Sequence, residues 1–221
     1  MDVVPDAVEM SDRFVMRPDY RVVMRNLDSQ VFLAMNNARL PLNDIRVRRA
    51  ISHAVNRDEL LGVYGRTASA LPIGSHFSPR HLAYVDLTDR YRYDPEQARA
   101  LLAEAGVAPG AALRIIVPAT LYGRTCGLEI AEYLDAVGFA TDYEEYPWHR
   151  WLSEVFQNKD YDLTVIAHVE PLDLNISPRD GYYFNYDNAA LAGCWKMRPF
   201  LHSCSKICSG ALPEGRIERT L

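Results

Sequence analysis

The sequence predicts an α/β lobe, a mixed sheet flanked by helices. Short apolar or β-branched runs alternate with helical ones in the order β-α-β-α-β. The helices carry their own start and stop residues, and the strand runs are too short to be helices.

Met1–Asp19 shows little pattern; Val8-Glu9-Met10 is expected to end a helix, and Arg17-Pro18 marks a break. Tyr20–Arg25 alternates weakly and reads as a strand. Phe32–Leu61 is the best organised stretch. FLAMN has the look of a buried strand, and Pro41 cannot continue a ladder. Asn43 or Asp44 then caps a helix with Ile45, Val47, Ala50, Ile51 and Val55 mainly on one face. Asn56 breaks that helix and caps the next, with Asp58 and Glu59 in its first turn. Gly62–Asp89 is rich in Gly, Pro, Ser, Thr and His and reads as a long surface connection. Asp94 caps a helix with Pro95 at its first position and Gly106 at its stop. Leu113–Val117 is a strand, Gly127–Val137 a helix ended by Gly138, and Phe139–Glu145 an outer strand. Trp148–Asn158 is a helix, and Tyr161–Ala167 a second apolar strand.

The 221 residues suffice for one large domain or two small ones, with a sizeable core. A net charge of −5 offers no basic field for nucleic acid, and none is expected as a partner. No run approaches the ~20 apolar residues of a membrane-spanning helix. MDVVPDAVEM lacks the basic and apolar regions of a secretory signal.

Asn37, Pro41, Asp44, Arg46, Val47, Arg48, Ala50, Ala54, Asn56 and Arg57 match position by position a pattern N-x-x-x-x-P-[FL]-x-D-x-R-V-R-x-A-[IL]-x-x-A-[IV]-[DN]-R. Two further matches follow in order, Tyr93 to Ala98 through Leu101 to Gly106, and Tyr161-Asp162-Leu163. Together they resemble the extracytoplasmic solute-binding proteins of family 5, the peptide, oligopeptide and nickel receptors of ABC importers. The resemblance implies a periplasmic-binding-protein type II fold with an incomplete first lobe. Residues 1–30 would be a remnant of that lobe and its hinge crossing, and residues 31–191 the second lobe. Such chains are usually more than twice this length, so a fragment is expected. The parent receptor would be periplasmic, and this chain alone would stay cytoplasmic. Its partners would be a small peptide or similar solute, ABC permease membrane subunits and the missing first lobe.

No G-x-S-x-G, G-x-x-x-x-G-K-[ST], H-E-x-x-H or G-x-G-x-x-G occurs, so no catalysis and no cofactor are expected. Cys126, with no visible His-Asp partner, reads as a small core residue. In resembling receptors the strand opened by [FY]-D-[LV] ends at a cleft-facing residue, often Trp, with an acid and a Pro close behind. Here His168 takes that place, and Glu170 or Asp173 supplies an acid for a peptide's ammonium group, which needs a charged partner when buried. Trp148, His149 and Trp151 open the preceding helix, where some relatives place a cleft-facing Trp; one Trp is expected in the core and one at the cleft. Tyr182, Tyr183, Phe184 and Tyr186 either line the site or close the lobe. The expected ligand-binding set is His168, Glu170, Asp173, Trp148, His149 and Tyr183, with no metal site.

From about Ala192 the text changes. It has no helical stripe, and it holds Cys194, Cys204 and Cys208 with five Lys or Arg against two Glu. A frame slip near Asn188–Gly193 is the expected origin of this tail. His202 with those cysteines lacks a C-x-x-C pair, so incidental thiols are favoured over zinc. Two rivals follow, a non-functional gene remnant and a small metal-binding protein using the tail.

Overall fold

A computed structural model describes residues 11–21, 29–64, 70–77, 79, 82, 84–168 and 181–187. Four strands, β1 (Gln30–Met35), β2 (Ala111–Pro118), β3 (Phe139–Tyr146) and β4 (Leu163–His168), form one sheet in the order β1-β4-β2-β3. β2 runs parallel to both β3 and β4, and β1 is antiparallel to β4. The predicted mixed sheet is therefore present. The helices are α1 (Ser11–Val15), α2 (Ile45–Ala54), α3 (Arg57–Tyr64), α4 (Pro95–Glu104), α5 (Leu121–Ala136) and α6 (Trp148–Trp151).

Alternation along the strands divides the core into two layers. Leu113, Ile115 and Val117 of β2 and Leu163 and Val165 of β4 face one side, where they pack with α2, α4 and α5. Ile116 and Ile166 face the other side, against Trp151, Val155, Tyr161 and Tyr183. The central strands are thus apolar on both faces, as parallel strands covered by helices must be.

The matched motif around α2 works as an internal staple. Asp44 caps the helix by accepting from the Arg46 N–H at 2.8 Å. The Arg46 side chain bonds Asp44 and donates to the Glu104 carbonyl at 2.6 Å, tying α2 to the C-terminus of α4. Arg48 donates to the carbonyls of Leu42 and Asn43, which follow the cis Leu40–Pro41 bond.

Three elements differ from the sequence reading. α5 begins at Leu121, not Gly127, because Thr120 caps it by accepting from the Gly123 N–H at 3.2 Å. Gly127 lies inside the helix as a point of close approach: a Cβ there would meet Val117 at 2.8 Å and Tyr143 at 2.9 Å. The helix expected over Trp148–Asn158 is α-helical for one turn and then widens to a π-helix, Leu152–Gln157. Gly62–Tyr64 continue α3, and the long connection closes with a 3₁₀ turn, Thr88–Tyr91. Within Met1–Asp19, Val8–Met10 lie outside the described residues, and α1 occupies Ser11–Val15. Of the expected strand Tyr20–Arg25 only Tyr20 and Arg21 are described, and neither is in a strand.

At the amino ends of β2 and β4, Asp160 accepts from Arg39 and from Arg114 at 3.3 Å. The Arg39 hydrogen bond, aided by the Arg114 charge, holds the Asp160 carboxyl below its ordinary range. A carboxylate depressed in the folded state stabilises above its unfolded pKa, and the contribution is lost as pH falls through the folded value. Asp160→Asn should therefore lower the melting temperature by a constant gap above about pH 5, a gap that closes below about pH 4. Thermal scans across that range check it; a gap independent of pH would remove the charge from the explanation.

Candidate functional site

The carboxyl ends of the three parallel strands point the same way, and there the chain turns from β2 into α5, from β3 into α6, and out of β4 at His168. α5 packs on one face and α6 on the other, with β2 between β4 and β3, so the strand order reverses beside β2. Ligands of open α/β sheets bind outside the carboxyl ends at such a reversal. Trp148, His149 and His168 all stand at this rim.

α6 separates its two tryptophans cleanly. Trp151 is 2% exposed, and its Nε1 donates to Thr164 Oγ1 at 3.0 Å, which satisfies the only polar group of each side chain inside the core. Trp148 is 51% exposed and stacks on Trp151 at 5.2 Å with the rings 9° from parallel. One ring is core and the other faces outward. His149, next in the helix, is exposed.

His168 ends β4 among aromatic rings. Its ring lies 4.9 Å from Phe32, and its Nε2 lies 3.0 Å from the Tyr183 hydroxyl. Tyr183 is 1% exposed, so its ring belongs to the base beneath His168. Tyr161 donates its hydroxyl proton to the Tyr183 carbonyl at 2.8 Å, and burial raises the Tyr161 pKa well above the ordinary phenol value. Glu170 and Asp173 lie outside the described residues, as do Cys194, His202, Cys204 and Cys208.

What the sequence reading missed is the device that holds residues 182–185 under His168. Asn36, one residue before the matched Asn37, is buried, and its side chain makes four hydrogen bonds. Its Nδ2 donates to the carbonyls of Lys159 at 3.0 Å and Tyr161 at 3.1 Å. Its Oδ1 accepts from Asn185 Nδ2 at 2.9 Å and from the Ala38 N–H at 3.2 Å. Asn37 donates through both its backbone N–H and its Nδ2 to the Phe184 carbonyl. The signal available in the sequence was a pair of amides directly after an apolar strand, where a buried polar side chain must find partners.

Cys126 is buried in the first core layer, and desolvation pushes its thiol up to about 11, an unreactive setting. Among the described residues no three His, Cys, Asp or Glu side chains gather as a metal site would need, and no helix is long and apolar enough to cross a membrane.

A mixed sheet with helices on both faces and an aromatic rim at its parallel strand ends is the architecture of a type II periplasmic-binding lobe. The chain belongs to the bacterial extracellular solute-binding proteins, family 5 Middle, whose family model matches residues 2–188. It is 34% identical over 120 residues to "Di/tripeptide-binding protein 2" of Pseudomonas aeruginosa (strain UCBPP-PA14), a match covering 52% of this chain and 22% of that protein. It is 33% identical over 128 residues to "Dipeptide-binding protein" of Escherichia coli (strain K12), covering 55% of this chain and 23% of that one. Its fold is similar to that of NikZ from Campylobacter jejuni in complex with Ni(L-His), with a TM-score of 0.71, 16% identity, and coverage of 86% of this chain and 42% of that one. The matched segments thus span less than half of each relative.

The two tryptophans should respond oppositely to truncation. Trp151→Ala should cost about 3–5 kcal/mol of stability, the range for a large buried aromatic. Trp148→Ala should cost no more than about 1 kcal/mol, the worth of an aromatic pair. Urea unfolding of both variants checks this, and equal losses would place Trp148 in the core.

Proposed function

We propose that this chain is one wall of the substrate-binding component of an ABC importer, with small peptides as its ligands. Residues 31–191 would be the second lobe, residues 1–30 the crossing to the first, and residues 192–221 a tail foreign to the fold. The observation that carries the reading is the half-exposed Trp148, backed by the buried Trp151 at the carboxyl ends of the parallel strands. Family membership and the printed functions of the two curated relatives support peptides as the ligand class.

In this reading Trp148, His149 and His168 face the solute, while Tyr183 fixes His168 from below. Glu170 or Asp173 pairs with the peptide's ammonium group, because a charged hydrogen bond offsets the loss of its water. The lobe binds and orients; it catalyses nothing. A facing first lobe supplies the other half of the contacts, hinge closure traps the peptide, and a membrane permease receives it. A second reading, a nickel–histidine ligand held near His149 and His168, is favoured by the resemblance in fold to NikZ.

NMR titration of the chain with a dipeptide such as Ala-Leu tests the proposal. The amides of Trp148, His149 and His168 should shift with a dissociation constant of about 1 mM or weaker, since half of the cleft is supplied elsewhere. Tight stoichiometric binding would contradict the half-cleft account. Shifts with nickel–histidine and none with dipeptides would select the second reading. No shifts with either, and none after a first lobe is supplied, would favour a gene remnant.

A further inference from the structure

Thr164 is a polar side chain with no exposed surface, set in the apolar strand β4. Leu163, Val165 and Ile166 surround it in sequence, and a valine would fill its place with the same branched shape. A buried hydroxyl costs stability unless it is bonded, so this one has a purpose that packing alone does not supply. Its partner is Trp151, whose Nε1 donates to Thr164 Oγ1 at 3.0 Å.

That bond sets an angle that packing leaves open. The second side-chain torsion of a tryptophan is a broad well, so apolar neighbours select the plane of its ring only loosely. A hydrogen bond is directional, and Thr164 is itself stiff because it branches at Cβ. With Nε1 held, Trp151 meets Tyr183 edge-on, at 5.9 Å and 79°, and turns one face to Trp148. Trp148 follows that face to within 9°, at 5.2 Å between centroids, in an offset stack of the kind aromatic rings favour. Trp148 is 51% exposed, so the plane set inside the core is carried out to the rim. The helix widens to a π-helix at Leu152, directly after Trp151, and such turns recur at functional sites.

On the reading that Trp148 contacts the solute, we propose that Thr164 is a positioning residue of the rim. Its hydroxyl, acting through Trp151, fixes the plane in which Trp148 meets the solute. Thr164 itself touches no solute, and its influence crosses two stacked rings. A free indole loses rotamer freedom when a solute arrives, and a held indole has lost it already. What is held is a flat face, which suits the planar groups of a peptide, its amide planes and any aromatic side chain.

NMR of the whole chain, natural and Thr164→Val, tests the proposal with two readouts. In the natural chain the ring protons of Trp148 should lie upfield, within the ring current of Trp151. In Thr164→Val they should move toward free-indole positions, and Thr164→Ser, which keeps the hydroxyl, should restore them. Titration with Ala-Phe should give a dissociation constant raised about threefold to tenfold in Thr164→Val, the worth of one aromatic contact. Thr164→Ser should restore the affinity as well. In a Trp148→Ala background Thr164→Val should add nothing, because both changes act through one contact. Should Thr164→Val impair folding, Trp151→Phe removes the same bond, keeps a ring, and should move both readouts alike. Unmoved Trp148 protons, or moved protons with unchanged affinity, would overturn the proposal. So would a loss of affinity that persists in the Trp148→Ala background. If the natural chain binds no dipeptide, the solute-binding reading fails, and the ring shifts still decide whether Thr164 orients Trp148.

Discussion

A buried asparagine ties the aromatic rim of this lobe to its opposite end. Asn36 sits where β1 leaves the sheet, and its side chain joins three segments distant in sequence: the turn after β1, the entry to β4 at Lys159–Tyr161, and the strap at Asn185. A buried amide is costly unless its donors and acceptor are all used, and here they are. Asn185 takes a left-handed backbone at φ 48°, a region asparagine tolerates better than most residues. The strap is pinned there and at Phe184, so Tyr183 is set beneath His168 and the rim inherits its position from the junction.

Much of this was legible in the sequence because local and tertiary signals agreed. Asp44, Asp94 and Pro95 announce their helices, and the structure finds the two aspartates as caps and Pro95 in the first turn. Apolar runs of strand length gave β2 and β4 to within a few residues. The start of α5 was hidden because Gly123 and Gly127 are weak helix formers, so the local pattern gave no reason to extend the helix back from Gly127 to Leu121. The helix keeps Gly127 for close approach to Val117 and Tyr143, a tertiary reason that no local pattern displays. The π-helical widening after Trp151 was hidden likewise. In the structure it closes with the Asn158 N–H reaching the Ser153 carbonyl at 2.9 Å.

The site divides along the same line. Trp148 and Trp151 at helical spacing implied one buried ring and one free ring, and packing decided which. His168 was readable as the end of a strand. Its partners were not, because Phe32 and Tyr183 lie far from it in sequence and meet it only through the sheet register and the Asn36 junction. The matched residues around α2 proved remote from the rim; Arg46 and Arg48 are spent on carbonyls that bind α2 to α4 and to the preceding loop. The chain's most recognisable motif thus builds the scaffold, and less conspicuous residues shape the rim.

The central claim is that the aromatic rim is held in place by the fold itself, through Asn36. Native-state hydrogen exchange reads this directly at the Asn36 and Asn37 amides, which donate to Asp162 and Phe184. The account predicts that both exchange only through the opening that also releases the amides of β2 and β4, as one cooperative unit. If they exchange through a smaller local opening while β2 and β4 stay protected, the strap is an independent element and the rim is not preformed.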